Sequence, residues 1–356
     1  MVRRTCLLAS IVILLAGVYA QAQTAPLFDA SHLAHTGDKF NYGSYEIIQI
    51  GSGIFQIKDN GDPKAKSGGL VGTDIYMILG SARALIVDLG NNYIDGYAGD
   101  EIPPRKNAKA EFLAIVDGLA GKLPVEAAIT HAHPDHDGMT MALAERKTTI
   151  WMPQGEDMEA PRVQHKIDPA VYTVFDQRSK KWDLGGGRVL TSIMVRGHSN
   201  GCSVYLLPSE TMLFTGDCLG IGAGRSLRTA EQLKVWSEDT KKLVAYLRAN
   251  LSPYQRYSLK LYTGHSKGNP IAGFVNEMHP VLDLDYLDWR FVQDQALCGD
   301  AILKGQWLNP ESGLRLLETV NAKTGQKTSK FLFGIGAVEL PVAEAYRAAG
   351  IKMLEQ

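Results

Sequence analysis

Residues 129–139, ITHAHPDHDGM, place three histidines and two aspartates within seven positions, His131 to Asp137. The short apolar run VEAAIT (125–130) comes just before and reads as a β-strand, so the cluster hangs from a strand end. His131 and His133 are separated by one residue, and in extended chain that directs both side chains to one face. Asp135 and His136 follow on a turn set by Pro134. Imidazole nitrogen and carboxylate oxygen are the donors that zinc takes at catalytic centres, where three protein ligands and a water complete a tetrahedron. Four candidates in one loop exceed that need. Either some of them support the ligands or two metals are held. Asp137 reads instead as the start of a short helix running from about Gly138 to Arg146.

The rest of such a site has to come from other strand ends, and three qualify. VRGHSNG (195–201) sets His198 in a turn between two strands. LFTGDCLG (213–220) puts Asp217 directly after an apolar strand, and LYTGHSKG (261–268) does the same for His265. Each is a lone His or Asp at a strand-to-loop junction with a glycine just before it. The other histidines, His32, His35, His165 and His279, have no comparable setting.

Taken together, His131-Ala-His133-Pro-Asp135-His136 followed in order by His198, Asp217 and His265 resembles the motif set of the metallo-β-lactamase-fold superfamily, over about residues 45 to 270. Asp88, closing the strand ALIVDLG (84–90), matches the aspartate that precedes the main motif in that family. The resemblance implies two metals. His131, His133 and His198 would hold the first, Asp135, His136 and His265 the second, and Asp217 would bridge them. Asp88 would orient a ligand. Two zinc ions are implied, with iron or manganese as alternatives. A shared water made acidic by the metals would be the nucleophile, with Asp135 aligning it. The implied activity is hydrolysis of an ester, lactone, thioester or amide of a small molecule.

Three departures bear on the substrate. Exported β-lactamases of the fold carry Cys or Ser where Asp217 stands, and Cys218 lies one residue too late to serve. Quorum-quenching lactonases carry a tyrosine three residues after the bridging aspartate, where this chain has Gly220. LFTGDCLGIGAGR (213–225) is similar to the glyoxalase II group, which hydrolyses thioesters. Other readings remain beside these: a mononuclear iron oxygenase of the persulfide dioxygenase type, a β-lactam hydrolase, and a non-catalytic binding protein on the same scaffold. Arg225 and Arg228, shortly after Asp217, are candidates to meet an anionic substrate. Residues 60–73 and 153–181 are polar surface loops, candidates for a flap and a lid.

The formal net charge of −1 gives no support to a nucleic-acid partner, which requires a basic face. The N-terminus, MVRRTCLLASIVILLAGVYAQAQ, has two arginines and then an apolar run from Cys6 to about Ala20. That run is short for a membrane span, and Ala20 and Ala22 suit a signal peptidase. A signal peptide over residues 1–22 is expected, with an uncleaved anchor as the alternative. The mature protein would then be periplasmic or secreted, without stable membrane association. It would keep Cys202, Cys218 and Cys298, an odd number that leaves at least one thiol unpaired within a monomer. The oligomeric state stays open.

Strands come first, helices and strands then alternate, and the pattern recurs. The expected fold is α/β: an αββα sandwich of two mixed sheets with outer helices over 23–274, and a C-terminal extension over 275–356 packed on it. A long amphipathic helix is expected over 229–249, with Thr229 as N-cap and Gln232 three residues later. In the extension, LDLDYLDWRFV (282–292) and SGLRLLETV (312–320) read as helical, and KFLFGIGAVEL (330–340) as a strand kinked at glycine.

Overall fold

A computed structural model of the chain describes residues 27–59, 72–91, 105–159, 167–220, 225–265, 287–320 and 327–352. The expected signal peptide, and all but two residues of the expected flap, lie outside the described residues. Eight strands form the first sheet, in sequence order: β1 (Lys39–Tyr42), β2 (Tyr45–Gly51), β3 (Ile54–Asp59), β4 (Asp74–Leu79), β5 (Ala84–Val87), β6 (Val125–Ala128), β7 (Thr149–Pro153) and β8 (Tyr172–Phe175). Pairing is antiparallel from β1 to β5 and parallel from β5 to β8. β9 (Lys181–Gly185), β10 (Arg188–Met194), β11 (Ser203–Leu207), β12 (Met212–Gly216) and β14 (Lys260–Thr263) form the second, in the order β14-β12-β11-β10-β9. A third sheet joins β13 (Arg225–Ser226) to β17 (Gly336–Glu339), β16 (Lys327–Phe333) and β15 (Arg315–Val320). The helices are α1 (Ala108–Ala120), α2 (Thr140–Ala144), α3 (Ala230–Asn250), α4 (Pro253–Tyr257), α5 (Trp289–Leu303) and α6 (Val342–Ala349).

Alternation along the central strands builds the layers. In β5, Leu85 and Val87 face the inter-sheet core while Ile86 faces the opposite way, onto the layer containing Phe112, Ile115 and Val116 of α1. In β11, Tyr205 and Leu207 enter the inter-sheet core, whereas Val204 and Leu206 join Leu233, Trp236 and Leu243 of α3. Strands buried on both faces read as unbroken apolar runs, as ALIV and SVYLL do. The result is helix, sheet, sheet, helix, the expected αββα sandwich.

α3 begins at the expected capping box: Thr229 accepts from the Gln232 backbone N–H, and the Gln232 side chain accepts from the Thr229 N–H. α5 and α6, together with Phe331 and Val338, share one apolar core with α3 and β11. At 0% exposure, Trp236 is the largest fully buried side chain in that core. Truncating a buried Trp to Ala costs about 3–5 kcal/mol.

Four readings need correction. KFLFGIGAVEL (330–340) is not one kinked strand but a hairpin, in which β16 and β17 pair antiparallel from Lys330↔Glu339 to Phe333↔Gly336. Residues 312–320 are not helical: β15 pairs antiparallel with β16 from Arg315↔Leu332 to Val320↔Lys327. Leu314 is buried and Leu316 packs on the core, but Leu317 is exposed, the period-two alternation of a strand. Residues 153–181 are not irregular throughout, because Tyr172–Phe175 adds β8 to the edge of the first sheet and β9 begins at Lys181; residues 160–166 lie outside the described residues. The helix expected in 282–292 starts only at Trp289, capped by Asp288, while Leu287 forms a β-bridge with Leu261; residues 282–286 lie outside the described residues.

Candidate metal centre

Four strand ends converge on one edge of the sandwich. β5 delivers Asp88, β6 the loop from His131 to His136, β12 Asp217 and β14 His265, while the turn between β10 and β11 delivers His198. Asp88 organises the main loop. One of its oxygens accepts from the Thr130 N–H at 2.7 Å, and the other from the Thr130 hydroxyl at 2.9 Å and from His136 Nδ1 at 2.8 Å. The Thr130 hydroxyl is committed as donor to Asp88, so its oxygen accepts from His131 Nδ1–H at 3.0 Å. These bonds fix the tautomers of His131 and His136 and leave each Nε2 lone pair turned away from Asp88, the usual arrangement of histidines that bind metal. His265 Nδ1 likewise donates to the Gly72 carbonyl at 3.2 Å.

The freed nitrogens gather in two groups. His131 Nε2 lies 3.0 Å from His133 Nδ1 and 2.9 Å from His198 Nε2. On the other side, His265 Nε2 lies 3.1 Å from an Asp135 oxygen, and His136 Nε2 lies 3.7 Å from the same oxygen. Asp217 stands between the groups. Its Oδ1 is 3.6 Å from His136 Nε2 and 3.5 Å from His265 Nε2, and its Oδ2 is 3.8 Å from His198 Nε2. All seven expected ligands therefore come together, with Asp88 in the supporting position.

The donor set fits divalent metal. His131, His133 and His198 offer one nitrogen each within 4.8 Å of one another, as do His131, His136 and Asp217, and Asp135, His136 and His265. His136 Nε2 is buried without a hydrogen-bond partner, and its nearest carboxylate oxygens are too far for a hydrogen bond. Two ligands on one tetrahedral zinc, each about 2.0–2.2 Å from it, sit at roughly such a separation.

Charges in the cluster are arranged around the same need. Burial would depress His136, but Asp135, Asp88 and Asp217 carry it up to about 9. For His265 burial is again outweighed, by Asp217 and Asp135, and the imidazole rises well above the usual range. Burial would raise Asp135 and Asp217, yet the facing His136 and His265 hold both below the usual carboxylate range. Burial, reinforced by His136, His198 and His133, drives His131 well down and keeps it neutral. Without metal, protons on His136 and His265 balance the carboxylates. A bound cation would take their place and release them.

The preceding glycines are required by space. A Cβ on Gly264 would stand 2.5 Å from His136 Cε1 and 2.6 Å from Asp217 Oδ1, and one on Gly216 would press on the Thr130 hydroxyl.

Several supports have no motif to announce them. Glu156, after β7, is half-buried and receives the Ala132 N–H at 2.9 Å on one oxygen, and the Gly201 N–H at 2.8 Å together with the Ser199 hydroxyl on the other. It thereby ties the His131–His133 loop to the His198 loop. Arg196 clamps Asp239 of α3 with two nitrogens, at 2.8 and 3.1 Å. Trp236 Nε1 donates to the Cys218 carbonyl and Gln295 of α5 to the Leu219 carbonyl, at 2.9 and 2.8 Å. The thiol of Cys218 faces Cys202 rather than the cluster, so the carboxylate at the bridging position is Asp217. Of the expected substrate contacts, Arg228 is exposed beside the start of α3 and Arg225 pairs through its backbone with Val338. No bond among the described residues ties Arg228 to the cluster. Asp137 is buried and accepts from the Tyr172 hydroxyl at 2.9 Å.

The fold and this cluster define a metallohydrolase-type αββα protein. The family model of the metallo-β-lactamase superfamily matches residues 68–251, and the chain belongs to that superfamily, whose members are mostly metal-dependent hydrolases. No curated protein matches. Among solved structures, the metallo-β-lactamase from Pontibacter korlensis is 17% identical, with 70% of this chain and 95% of that one covered and a TM-score of 0.48. For the DIM-1 metallo-β-lactamase the identity is 17%, the coverage 63% and 91%, and the TM-score 0.45. TMB-1 is 16% identical, with 72% and 98% covered and a TM-score of 0.46.

Proposed function

We propose that this protein is an exported, binuclear zinc hydrolase acting on an ester, lactone, thioester or amide of a small molecule. The observation that carries the reading is Asp217, whose two oxygens face opposite groups, one toward His198 and the other toward His136 and His265. His131, His133 and His198 would hold one ion and Asp135, His136 and His265 the other, with Asp217 shared. Bound zinc supplies a Lewis acid and a water acidic enough to ionise near neutral pH. Asp135 is one-third exposed, more than Asp217, while His136 is sealed, so it is the carboxylate most open to solvent and the group that would align the attacking water. Asp88 would hold His136 in one tautomer throughout. A single-metal oxygenase would leave one of the two donor groups without a cation to hold. Export is supported by the arginine-led apolar stretch at the N-terminus.

The test is metal quantification on the purified protein, with a hydrolysis panel of lactones, esters, thioesters, β-lactams and phosphodiesters. About two zinc per chain and turnover of a carbonyl substrate are expected, and Asp217→Ala or His133→Ala should abolish turnover and lower metal content. One iron per chain with oxygen consumption, or full activity and unchanged metal in either variant, overturns the reading.

A further inference from the structure

Two cysteines meet beside the metal cluster. Cys202 precedes β11 and Cys218 follows Asp217 at the end of β12, and these two strands are antiparallel neighbours. Both residues are 0% exposed, and their sulfurs are 2.6 Å apart. A thiol is a weak donor and a weak acceptor, so an unlinked pair has little to gain from so close an approach. The Ser203 carbonyl, 3.4 Å from the Cys218 sulfur, is the other polar group there. Neither sulfur belongs to a metal-ligand group. Cys298 lies elsewhere, against the Phe331 carbonyl.

We propose that Cys202 and Cys218 are joined by a disulfide that ties the His198 loop to the Asp217 loop. Forming the sulfur–sulfur bond removes two protons and two electrons from the thiols. A disulfide oxidant, such as glutathione disulfide, accepts them by exchange and leaves as two thiols. Both sulfurs are sealed in the folded chain, so the exchange takes place during folding, before the loops close. Each end of the bond then anchors a ligand: His198 is four residues before Cys202, and Asp217 is adjacent to Cys218. The link adds a covalent tie to the one Glu156 makes between Ala132 and Gly201. The odd cysteine is Cys298, buried and unpaired.

The full chain is reduced, unfolded and refolded with zinc in a glutathione redox buffer, then denatured and alkylated without reductant. Mass mapping should find the Cys202 and Cys218 peptides joined and lighter by two hydrogen atoms, with Cys298 alkylated. Alkylation of both Cys202 and Cys218, or pairing of either with Cys298, overturns the proposal. This outcome does not depend on export or on the substrate. A second arm compares linked protein with the Cys202→Ala, Cys218→Ala double variant by chelator competition for zinc. Circular dichroism should be unchanged and zinc held roughly tenfold less tightly, as when groups supporting metal ligands are removed. Equal zinc affinity at equal fold overturns the tie between the two loops.

Discussion

Asp88 carries three donors on two buried oxygens, and it does so from a left-handed backbone, with φ 60°. That conformation is uncommon outside glycine, though Asp and Asn tolerate it. Asp88→Asn therefore isolates the carboxylate from the backbone. The new amide keeps an acceptor for the Thr130 N–H but turns an N–H₂ toward His136 Nδ1–H, so His136 must change tautomer and surrender the Nε2 lone pair. The expected outcome is a metal affinity lower by about 10–100-fold with the fold retained. Chelator competition read beside circular dichroism measures it, and unchanged affinity would show that Asp88 does not set the tautomer.

Strand ends supply the ligands, but what holds the loops in register comes from elements far away in sequence. Glu156 is the clearest case, since its partners Ala132, Ser199 and Gly201 belong to the two loops that carry His133 and His198. Glu156→Gln replaces one acceptor with a donor opposite a backbone N–H or the Ser199 hydroxyl, and a buried group left unsatisfied costs about 1–3 kcal/mol. Denaturant unfolding should show that loss of stability together with weaker metal retention; wild-type values in both would remove Glu156 from the site. The ligands themselves are legible because His131 to His136 crowd into one loop after an apolar strand, while His198, Asp217 and His265 each follow a glycine at a strand end, and Gly216 and Gly264 have no room for a side chain. Glu156 was not legible, because a lone glutamate after a strand says nothing of backbone N–H groups in other loops. Arg196 and Asp239 were likewise hidden, their pairing across β10 and α3 being a tertiary event. β15 is hidden for a related reason: its extended form is decided by pairing with β16, a separate segment of the chain.

At the scale of the whole molecule, the metal cluster is a concentration of buried charge that the fold has to balance, and pH shows how. In the metal-free protein His136 titrates at about 9 rather than 6.5, raised by carboxylates against burial, and His265 shifts in the same direction. A raised histidine stabilises the folded state fully below its unfolded value of 6.5, and that contribution is lost as pH climbs through the folded value. Stability of the metal-free protein should therefore fall between about pH 6.5 and 9, by on the order of 3 kcal/mol for His136 alone. Below 6.5 the opposite slope applies, because His131, held neutral by burial, gains no proton while the unfolded chain does. The metal-free protein should then be most stable near pH 6.5. With zinc bound the cation takes the place of the two protons, ligands need no longer be protonated, and the alkaline decline should vanish. Thermal unfolding of chelator-treated and zinc-loaded protein from pH 5 to 9.5 separates the two cases. A flat or rising melting temperature for the metal-free form above pH 6.5 would mean that His136 and His265 do not carry the balancing protons. The same shifts require zinc uptake near neutral pH to release protons into weakly buffered solution, from His136 and His265 as well as from the metal-bound water, which titration reads.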